Sequence, residues 1–484
     1  MLQDLTPKSV FTAFFDICQI PRESGNEEAI CAYLQNFAKV RNLTCATDSA
    51  GNVVISKPAT PGMEQCPIIV LQSHVDMVCE KNEGVQHDFA IDPIDVYEED
   101  GWLKARGTTL GADCGIGMAA QLALLDSSDV THGPIECLFT VSEETGLDGA
   151  RALQPQFING NTLINLDSED EGEIFIGCAG GIDTTARFAY TTEPVPSGVV
   201  ALKVSITGGT GGHSGDEIHK GLANANQLLA RFIWHAQQKF DFGISYIRGG
   251  NKRNAIAREA FAICTLAPPD QPPFTQLFTQ FAHDVRAEYR HTDPDLTPEL
   301  LPAPRPDSLI DKESSRRLIS ALYSCPHGVF SMSKDIPNLV ETSSNLASIK
   351  MEKDGEIRIG TSQRSSLNSA RYNAAARIEA LFRLAGATVT HESEYPGWAP
   401  NPGSPILQRA VDQYTRRFGT APAVKAIHAG LECGIFLNAF PTLDMISFGP
   451  TLRGVHSPDE RLEIASVQKF WDFLLDLLSS PSGK

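Results

Sequence analysis

Largely apolar runs bounded by turn residues predict buried strands in the first third of the chain. Such runs lie at residues 67–71 (PIIVL), 135–141 (IECLFTV) and 162–166 (TLINL). They are typical of strands that are covered on both faces of a sheet. Helical apolar spacing at residues 27–40 and a small-residue segment at 115–125 predict helices before and between these strands. This alternation favours an α/β fold with a mainly parallel sheet and helices on both faces.

The middle of the chain has a different pattern. Residues 201–207 alternate between apolar and polar, which predicts a strand with one exposed face. A Gly-rich turn follows, then a helix predicted at about residues 217–238, and then further strands and helices. This α+β pattern predicts an inserted domain. We therefore expect a discontinuous domain at residues 1–187 and 395–484, with a second domain at residues 188–394 inserted into it.

The tail returns to alternating helices and strands. Ser404 and Pro405 have the residue types that cap and open a helix. Residues 442–448 are a predicted strand, and residues 457–460 (SPDE) match a capping box with Pro at the first helical position. The pattern predicts that the tail completes the first domain.

Composition narrows the range of partners. The 484 residues include 40 Lys and Arg against 59 Asp and Glu, a formal net charge of −19. This balance argues against nucleic-acid binding and against an anionic membrane surface, because both need clustered cations. We find no signal-peptide pattern, no apolar run long enough to span a membrane and no C-x-x-C pair among the 11 cysteines. A cytoplasmic location with reduced thiols is expected.

Acidic and histidine residues follow the predicted strands. His74 and Asp76 come after PIIVL, Glu143 and Glu144 come after IECLFTVS, and Asp167 comes directly after TLINL. Because the carboxyl ends of parallel strands share one edge of a sheet, we expect these side chains to lie close together. Imidazole and carboxylate together suit a divalent metal ion.

Two further residues extend this set. Asp113 stands in the tight turn GADCG before the predicted helix at 115–125, and His456 follows the predicted strand at 442–448. Each candidate alone also fits an ordinary role: a satisfied polar histidine, a turn-forming aspartate, or acidic residues at a helix start. Several such placements at one sheet edge are harder to explain independently, so together they predict a metal site.

Seven motifs then show a family resemblance. They are SHVDM (73–77), GADCGIG (111–117), SEETG (142–146), NLDSED (165–170), GGHSG (211–215), HAGLECG (428–434) and HSPDE (456–460). In this order they resemble the M20 family of metallopeptidases, and within it the subgroup of cytosolic aminoacyl-histidine dipeptidases. The resemblance runs over essentially the whole chain. It implies a zinc-peptidase-like catalytic domain, with the inserted domain acting as a lid that binds substrate.

The resemblance also implies roles for individual residues. It implies two divalent metal ions per chain, zinc being expected and cobalt or manganese able to substitute. Their ligands would be His74 and Asp167 on one ion, Glu144 and His456 on the other, and Asp113 as a bridge with a cis peptide bond after it. Asp76 would orient His74, and Glu143 would act on a metal-bridging water as general base and then acid.

The implied activity is hydrolysis of dipeptides, with Xaa-His and carnosine-type peptides as the expected substrates. The implied substrate-binding positions in the lid are His213, Asn254, Arg364 and the backbone at Gly430. Other amide hydrolases of the M20 type remain open: a tripeptidase, an N-acyl amino-acid deacylase or a carboxypeptidase. A non-catalytic binding protein on the same scaffold is a further alternative, and a homodimer is left open.

Overall fold

The computed structural model describes residues 4–352 and 355–479. Within these ranges the helices are α1 (Lys8–Cys18), α2 (Glu28–Val40), α3 (Ala112–Asp126), α4 (Glu143–Gly146), α5 (Asp148–Ala152), α6 (Ala225–Gln237), α7 (Gln271–Glu288), α8 (Lys312–Ser324), α9 (Asn368–Leu384), α10 (Pro405–Phe418), α11 (Glu432–Ala439) and α12 (Ile464–Ser479).

The strands of the described residues are β1 (Thr44–Thr47), β2 (Val53–Lys57), β3 (Ile69–His74), β4 (Val96–Glu99), β5 (Trp102–Ala105), β6 (Ile135–Thr140), β7 (Thr162–Asn165), β8 (Glu173–Cys178), β9 (Gly180–Ala189), β10 (Thr192–Pro194), β11 (Val200–Thr207), β12 (Phe242–Gly249), β13 (Ala260–Leu266), β14 (Thr297–Pro302), β15 (Ser308–Ile310), β16 (Gly328–Met332), β17 (Val340–Met351), β18 (Glu356–Ser365), β19 (Thr388–Tyr395), β20 (Ala423–Ile427), β21 (Asp444–Ser447), β22 (Leu452–Arg453) and β23 (Arg461–Glu463).

The chain folds into two compact units. Unit 1 comprises the described residues up to Gly177, the segment Pro400–Ala426 and the described residues from Leu431 onward. Unit 2 comprises Cys178–Ala399 and Ile427–Gly430.

Unit 1 is built on an eight-stranded sheet in the order β1-β2-β6-β3-β7-β21-β8-β20. The neighbours β6, β3, β7 and β21 are parallel. The pairs β1–β2, β2–β6 and β21–β8 are antiparallel. The predicted α/β class is confirmed, and the parallel strands form the centre of a mixed sheet. All six residues of β3 are buried, as a strand covered on both faces requires.

Helix α3 packs against β3 and α1. Almost every residue of this helix is buried, and its glycines permit a very close approach. A Cβ at Gly117 would lie 2.7 Å from the carbonyl oxygen of Leu166, next to Asp167. The small-residue composition of this segment therefore lets α3 lie against the loop that carries Asp167.

Unit 2 contains the second large sheet, in the order β14-β11-β13-β12-β17-β18-β9-β19 with β16 paired to β17. Neighbouring strands of this sheet pair antiparallel, consistent with the α+β pattern of the middle of the chain. Helices α6 and α7 cover it, and Phe232 packs edge-on against Phe274 and Phe278 at ring-centroid distances of 5.3 and 5.0 Å. These aromatic contacts form part of an apolar core that belongs to unit 2 alone.

Two predicted helix starts differ from the structure. The helix predicted at about residues 217–238 begins only at Ala225, because Gly221 takes a left-handed conformation (φ +68°) and Asn224 caps the backbone N–H groups of Asn226 and Gln227. The capping box predicted at residues 457–460 is also wrong. Helix α12 begins at Ile464, and Ser457 Oγ instead donates to Gly454 O at 2.6 Å.

The predicted start of α10 is confirmed. Pro405 is its first residue, and Ser404 Oγ accepts the backbone N–H of Leu407 at 3.1 Å. Among the described residues, no helix combines the length and the apolar character that crossing a membrane demands.

Candidate functional site

Candidate site residues follow three parallel strands and lie at one edge of the unit 1 sheet. His74 is the last residue of β3, and it is in register with Thr140, the last residue of β6. Glu143 and Glu144 open α4 directly after β6, and Asp167 follows β7 by two residues. The carboxyl ends of adjacent parallel strands thus bring these side chains together, as expected for this class of sheet.

Asp113 lies between the two imidazoles. Its Oδ1 is 3.3 Å from His74 Nε2, and its Oδ2 is 3.1 Å from His456 Nε2. The peptide bond between Asp113 and Cys114 is cis, as the resemblance implies. One carboxylate therefore faces both histidines, one oxygen to each, which is the arrangement that a bridging ligand needs.

Each histidine has a second carboxylate beside it. Asp167 Oδ1 lies 3.3 Å from His74 Nε2, and Glu144 Oε2 lies 3.0 Å from His456 Nε2. Candidate ligand atoms of His74, Asp113 and Glu144 lie within 4.8 Å of one another, and so do those of His74, Cys114 and Asp167. The structure thus brings all five predicted metal ligands together.

Asp76 is fully buried below these groups. Its carboxylate accepts hydrogen bonds from Ser24 Oγ at 2.7 Å and from the backbone N–H groups of Glu143 and Glu144 at 3.0 and 3.2 Å. Its Oδ1 lies 3.4 Å from His74 Nδ1, and that nitrogen is also 3.1 Å from the Asp76 carbonyl oxygen. Asp76 therefore fixes both the His74 ring and the start of α4, so it is not a surface carboxylate.

The charges of the site act strongly on the two imidazoles. Burial lowers the pKa of His74, but Asp167 and the hydrogen bonds to Asp113 and Asp76 outweigh it and hold that pKa well above its ordinary value. Hydrogen bonds to Asp113 and Glu144 raise the pKa of His456 to about 11. Metal ligation requires neutral imidazole, so a divalent cation would displace the protons that these rings hold against the carboxylates.

Several carboxyl groups of the cluster are pushed toward the neutral form. Burial raises the pKa of Glu143 well above its ordinary value, and Asp167 and Glu432 add to the effect. Burial also raises the pKa of Asp167 to about 6 and that of Glu169 to about 8. The cluster therefore contains more acidic groups than its two imidazoles can neutralise.

This donor set fits divalent metal ions. Glu144 Oε1 is buried and makes no hydrogen bond to any part of the chain that the structure describes. Buried carboxylate oxygens without a donor are costly unless a cation satisfies them. Imidazole nitrogens with carboxylate oxygens are the ligands that zinc and related ions prefer.

Sequence reasoning missed supporting residues around the site. Glu432, in the motif HAGLECG, is buried, and its Oε2 accepts from Gln72 Nε2 at 2.6 Å and Thr140 Oγ1 at 3.0 Å. Glu27 Oε1 accepts from the N–H and the hydroxyl of Ser142, which has φ +52°. A carboxylate inside an otherwise apolar helix start was the available signal for Glu432, but its partners are visible only in the fold.

In unit 2, His213 and Asn254 lie on adjacent loops. Ser214 N donates to the carbonyl oxygen of Asn254 at 2.8 Å, and His213 forms an isolated bridge with Ala255. His213 Nδ1 is 3.1 Å from Asp216 Oδ2. The hydrogen bond from His213 lowers the pKa of Asp216, and the nearby Arg364 charge lowers it further. His213 and Arg364 thus share an acidic neighbour.

Arg364 and Gly430 meet at Tyr395. Arg364 is 7 % exposed, and its Nη1 donates to the Tyr395 hydroxyl at 2.9 Å. A Cβ at Gly430 would lie only 2.9 Å from Tyr395 Cε2, so a residue without a side chain allows the Tyr395 ring to pack here. Unit 2 therefore brings Arg364 and Gly430 together, and it places His213 beside Asn254.

The fold and the unit 1 cluster define a class, a protein of α/β fold with a candidate site for divalent metal ions at the carboxyl edge of its sheet. The model of peptidase family M20/M25/M40 matches residues 70–480. A protein of Escherichia coli (strain K12) called cytosol non-specific dipeptidase is 41% identical over 483 residues, covering 100% of this chain and 99% of that protein.

Solved structures agree with the sequence comparison. The crystal structure of aminoacylhistidine dipeptidase from Vibrio alginolyticus is 40% identical, with a TM-score of 0.94, and covers 100% of this chain and 99% of that one. A tripeptidase from Staphylococcus aureus shares the fold, at a TM-score of 0.57 and 17% identity over 99% of both chains. This chain belongs to the M20 peptidase family and is a metallopeptidase.

Proposed function

We propose that this protein hydrolyses dipeptides at a pair of divalent metal ions, with Xaa-His peptides among its substrates. One observation carries the proposal: the two oxygens of Asp113 face His74 Nε2 and His456 Nε2 at 3.3 and 3.1 Å. The relatives that match the full chain at about 40% identity are called dipeptidases, which supports dipeptides as the substrate class.

The metal-holding roles follow from this geometry. Asp113 would be shared by the two ions, His74 and Asp167 would hold one of them, and Glu144 and His456 would hold the other. Zinc suits these donors, and cobalt or manganese can replace it. When bound, such ions supply Lewis acidity that polarises the peptide carbonyl and lowers the pKa of water.

Glu143 is the general base and then the general acid in this proposal. It takes a proton from the attacking water as the new C–O bond forms, and it returns that proton to the amine nitrogen as the C–N bond breaks. Burial raises the pKa of Glu143 well above its ordinary value, and a raised pKa makes a carboxyl group a stronger base for the first transfer and keeps it available as an acid for the second. Asp76 supports the step by holding the backbone N–H of Glu143.

Substrate recognition is assigned to unit 2. The Arg364 guanidinium suits the free carboxylate of a dipeptide, because a planar fork of N–H groups matches two carboxylate oxygens. His213 is assigned to the scissile carbonyl, and Asn254 and the Gly430 backbone to substrate positioning. We also propose that units 1 and 2 are the catalytic and lid domains predicted at residues 1–187 with 395–484 and at 188–394.

The experiment compares substrates and metals. Chelator-treated protein is reloaded with zinc, cobalt or manganese and assayed with Gly-His, β-Ala-His and Gly-Gly, with Gly-Gly-Gly and N-acetyl amino acids as controls. Metal-dependent cleavage of the dipeptides alone supports the proposal. Preferred cleavage of the tripeptide or of the N-acetyl compounds would replace it with another amide hydrolase activity, and turnover that resists chelation would contradict the metal mechanism.

Glu143→Gln tests the assigned base. The variant should bind metal as the wild type does and lose about 10²–10⁴-fold in kcat, the usual contribution of a general acid–base. Glu83→Gln, which removes an exposed carboxylate of unit 1, is the matched control and should keep wild-type turnover. Wild-type turnover in Glu143→Gln would show that another group moves the proton.

A further inference from the structure

Four consecutive backbone N–H groups surround one carboxylate in unit 1. Glu460 Oε2 accepts from Leu110 N at 2.7 Å and Gly111 N at 2.9 Å, and Oε1 accepts from Ala112 N at 2.8 Å and Asp113 N at 3.3 Å. Gly111 has φ +69°, the left-handed conformation that turns successive N–H groups toward a common centre. The loop of residues 110–113 is therefore an anion-binding concavity, and a side chain of the protein itself fills it.

The carbonyl side of the same loop is held by a cation. Arg22 is 2 % exposed, and its guanidinium donates to the carbonyl oxygens of Val75 and Asp76 at 3.0 Å each and to that of Gly111. A Cβ at Gly111 would lie 2.5 Å from Arg22 Nη2. The 110–113 loop is thus fixed from both sides, by Glu460 on its N–H groups and by Arg22 on a carbonyl.

Glu460 belongs to the segment that carries His456. Residues 454–460 form a compact turn in which Glu460 N donates to Ser457 O at 3.0 Å and His456 has φ +62°. His456 is half exposed, so the surrounding packing restrains it only on one side. The hydrogen bonds of Glu460 fasten this turn to the loop of Asp113. The Asp113 side chain in turn lies 3.1 Å from His456.

We propose that Glu460 is a positioning residue, which aligns Asp113 and His456 as a pair so that they can bind metal together. The inference rests on the metal centre proposed above. Asp113 and His456 are 343 positions apart in the sequence, and the Glu460 carboxylate connects the two short segments that present them. The sequence HSPDE therefore supplies a candidate ligand and, four residues later, the group that sets its distance from the bridging carboxylate.

The test is a cobalt titration of metal-free protein, followed by the visible absorption of bound Co²⁺. Glu460→Gln replaces one acceptor oxygen with an N–H₂ group that faces backbone donors, so two of the four hydrogen bonds cannot form. We expect cobalt affinity to fall about 10–100-fold, the usual effect of removing a group that orients a ligand. Asp459→Asn, which removes an exposed carboxylate from the same turn, is the matched control and should stay within about twofold of wild type.

Three outcomes are decisive. Weaker cobalt binding with an altered cobalt spectrum in Glu460→Gln, and not in Asp459→Asn, supports the inference. Wild-type cobalt affinity in Glu460→Gln overturns it, even where thermal stability falls, because a merely structural role lowers stability without changing the site. If the wild-type protein binds no cobalt, the proposed metal centre is wrong, and the proposed role of Glu460 is then wrong as well.

A second, milder variant tests the inference even if Glu460→Gln does not fold. Glu460→Asp keeps the charge but shortens the side chain by one methylene, so it cannot reach all four N–H groups. Its circular dichroism should match the wild type, and its cobalt affinity should lie between those of wild type and Glu460→Gln. A folded Glu460→Asp protein with wild-type cobalt affinity overturns the inference whether or not Glu460→Gln folds.

Discussion

Asp76→Asn should destabilise the metal-free protein by about 2–3 kcal/mol at neutral pH, a range that both the hydrogen bonds lost and the lowered pKa of Asp76 support. Oδ2 of Asp76 accepts from Ser24 Oγ and Glu144 N, and Oδ1 accepts from Glu143 N. An amide in the same place keeps one acceptor and presents N–H₂ to the other donors. One or two hydrogen bonds to a charged group are lost, at about 1.5–3 kcal/mol each.

The pKa of Asp76 gives the second argument. Burial raises it, but the hydrogen bonds and charge of His74, with those of Ser24 and Glu143 N, outweigh burial and lower it from 3.8 to about 2. A shift of this size corresponds to about 2 kcal/mol that the ionised carboxylate contributes to the folded state. Because the folded pKa lies below the unfolded one, this stability is present above pH 3.8 and is lost as the pH falls toward 2.

The assay is urea denaturation in the presence of chelator, with hydrogen-exchange mass spectrometry of β3 and β6 peptides so that unit 1 is followed on its own. Asp129→Asn, an exposed carboxylate of the same unit, is the control and should unfold as the wild type does. The difference between Asp76→Asn and wild type should narrow at acid pH. Equal stability of the two proteins at neutral pH would refute the argument that this carboxylate anchors the His74 strand and α4.

Two further predictions concern one buried residue in each unit. Arg364→Lys keeps the charge but loses the planar guanidinium, so KM for dipeptides should rise about tenfold with a smaller change in kcat. Arg358→Lys, on the same strand, is the control and should leave KM and kcat unchanged. An unchanged KM in Arg364→Lys would show that Arg364 does not bind the substrate carboxylate. Burial raises the pKa of Glu432 from 4.5 to about 8, so the metal-free wild type should lose stability as the pH rises through that window. Glu432→Gln cannot titrate at this position, so its free energy of unfolding should rise relative to that of the wild type over the same pH range. The measurement is urea denaturation of both proteins in chelator at a series of pH values. A difference in unfolding free energy that does not change with pH would contradict the raised pKa.

The pattern of apolar residues was enough to predict the elements of the unit 1 sheet and the candidate ligands. The apolar runs at 67–71, 135–141 and 162–166 became β3, β6 and β7, with ends shifted by one or a few residues. Local composition suffices here, because strands buried on both faces must be apolar throughout. His74, Glu144 and Asp167 could be named because ligand types follow such strands directly.

Local pattern failed where a distant contact decides the structure. The predicted capping box at 457–460 treated Glu460 as a helix cap, whereas its carboxylate binds the N–H groups of residues 110–113. The helix predicted from about residue 217 starts at Ala225, because Gly221 and the Asn224 cap interrupt the helical pattern. A sequence pattern shows that a carboxylate or a glycine is present and does not show which backbone groups it meets.

The way in which the candidate residues pair depends on contacts between distant parts of the chain. The parallel neighbours β6, β3 and β7 set the register that places His74 beside Asp167, and loop packing gives Asp113 one oxygen for each histidine. Buried supports such as Glu432 and Arg22 take their partners from distant parts of the chain, since a charged side chain can be inside a protein only where the fold supplies its partners. Strand order and loop packing arise from long-range contacts, so the residue types of the site were visible in the chain and its geometry was not.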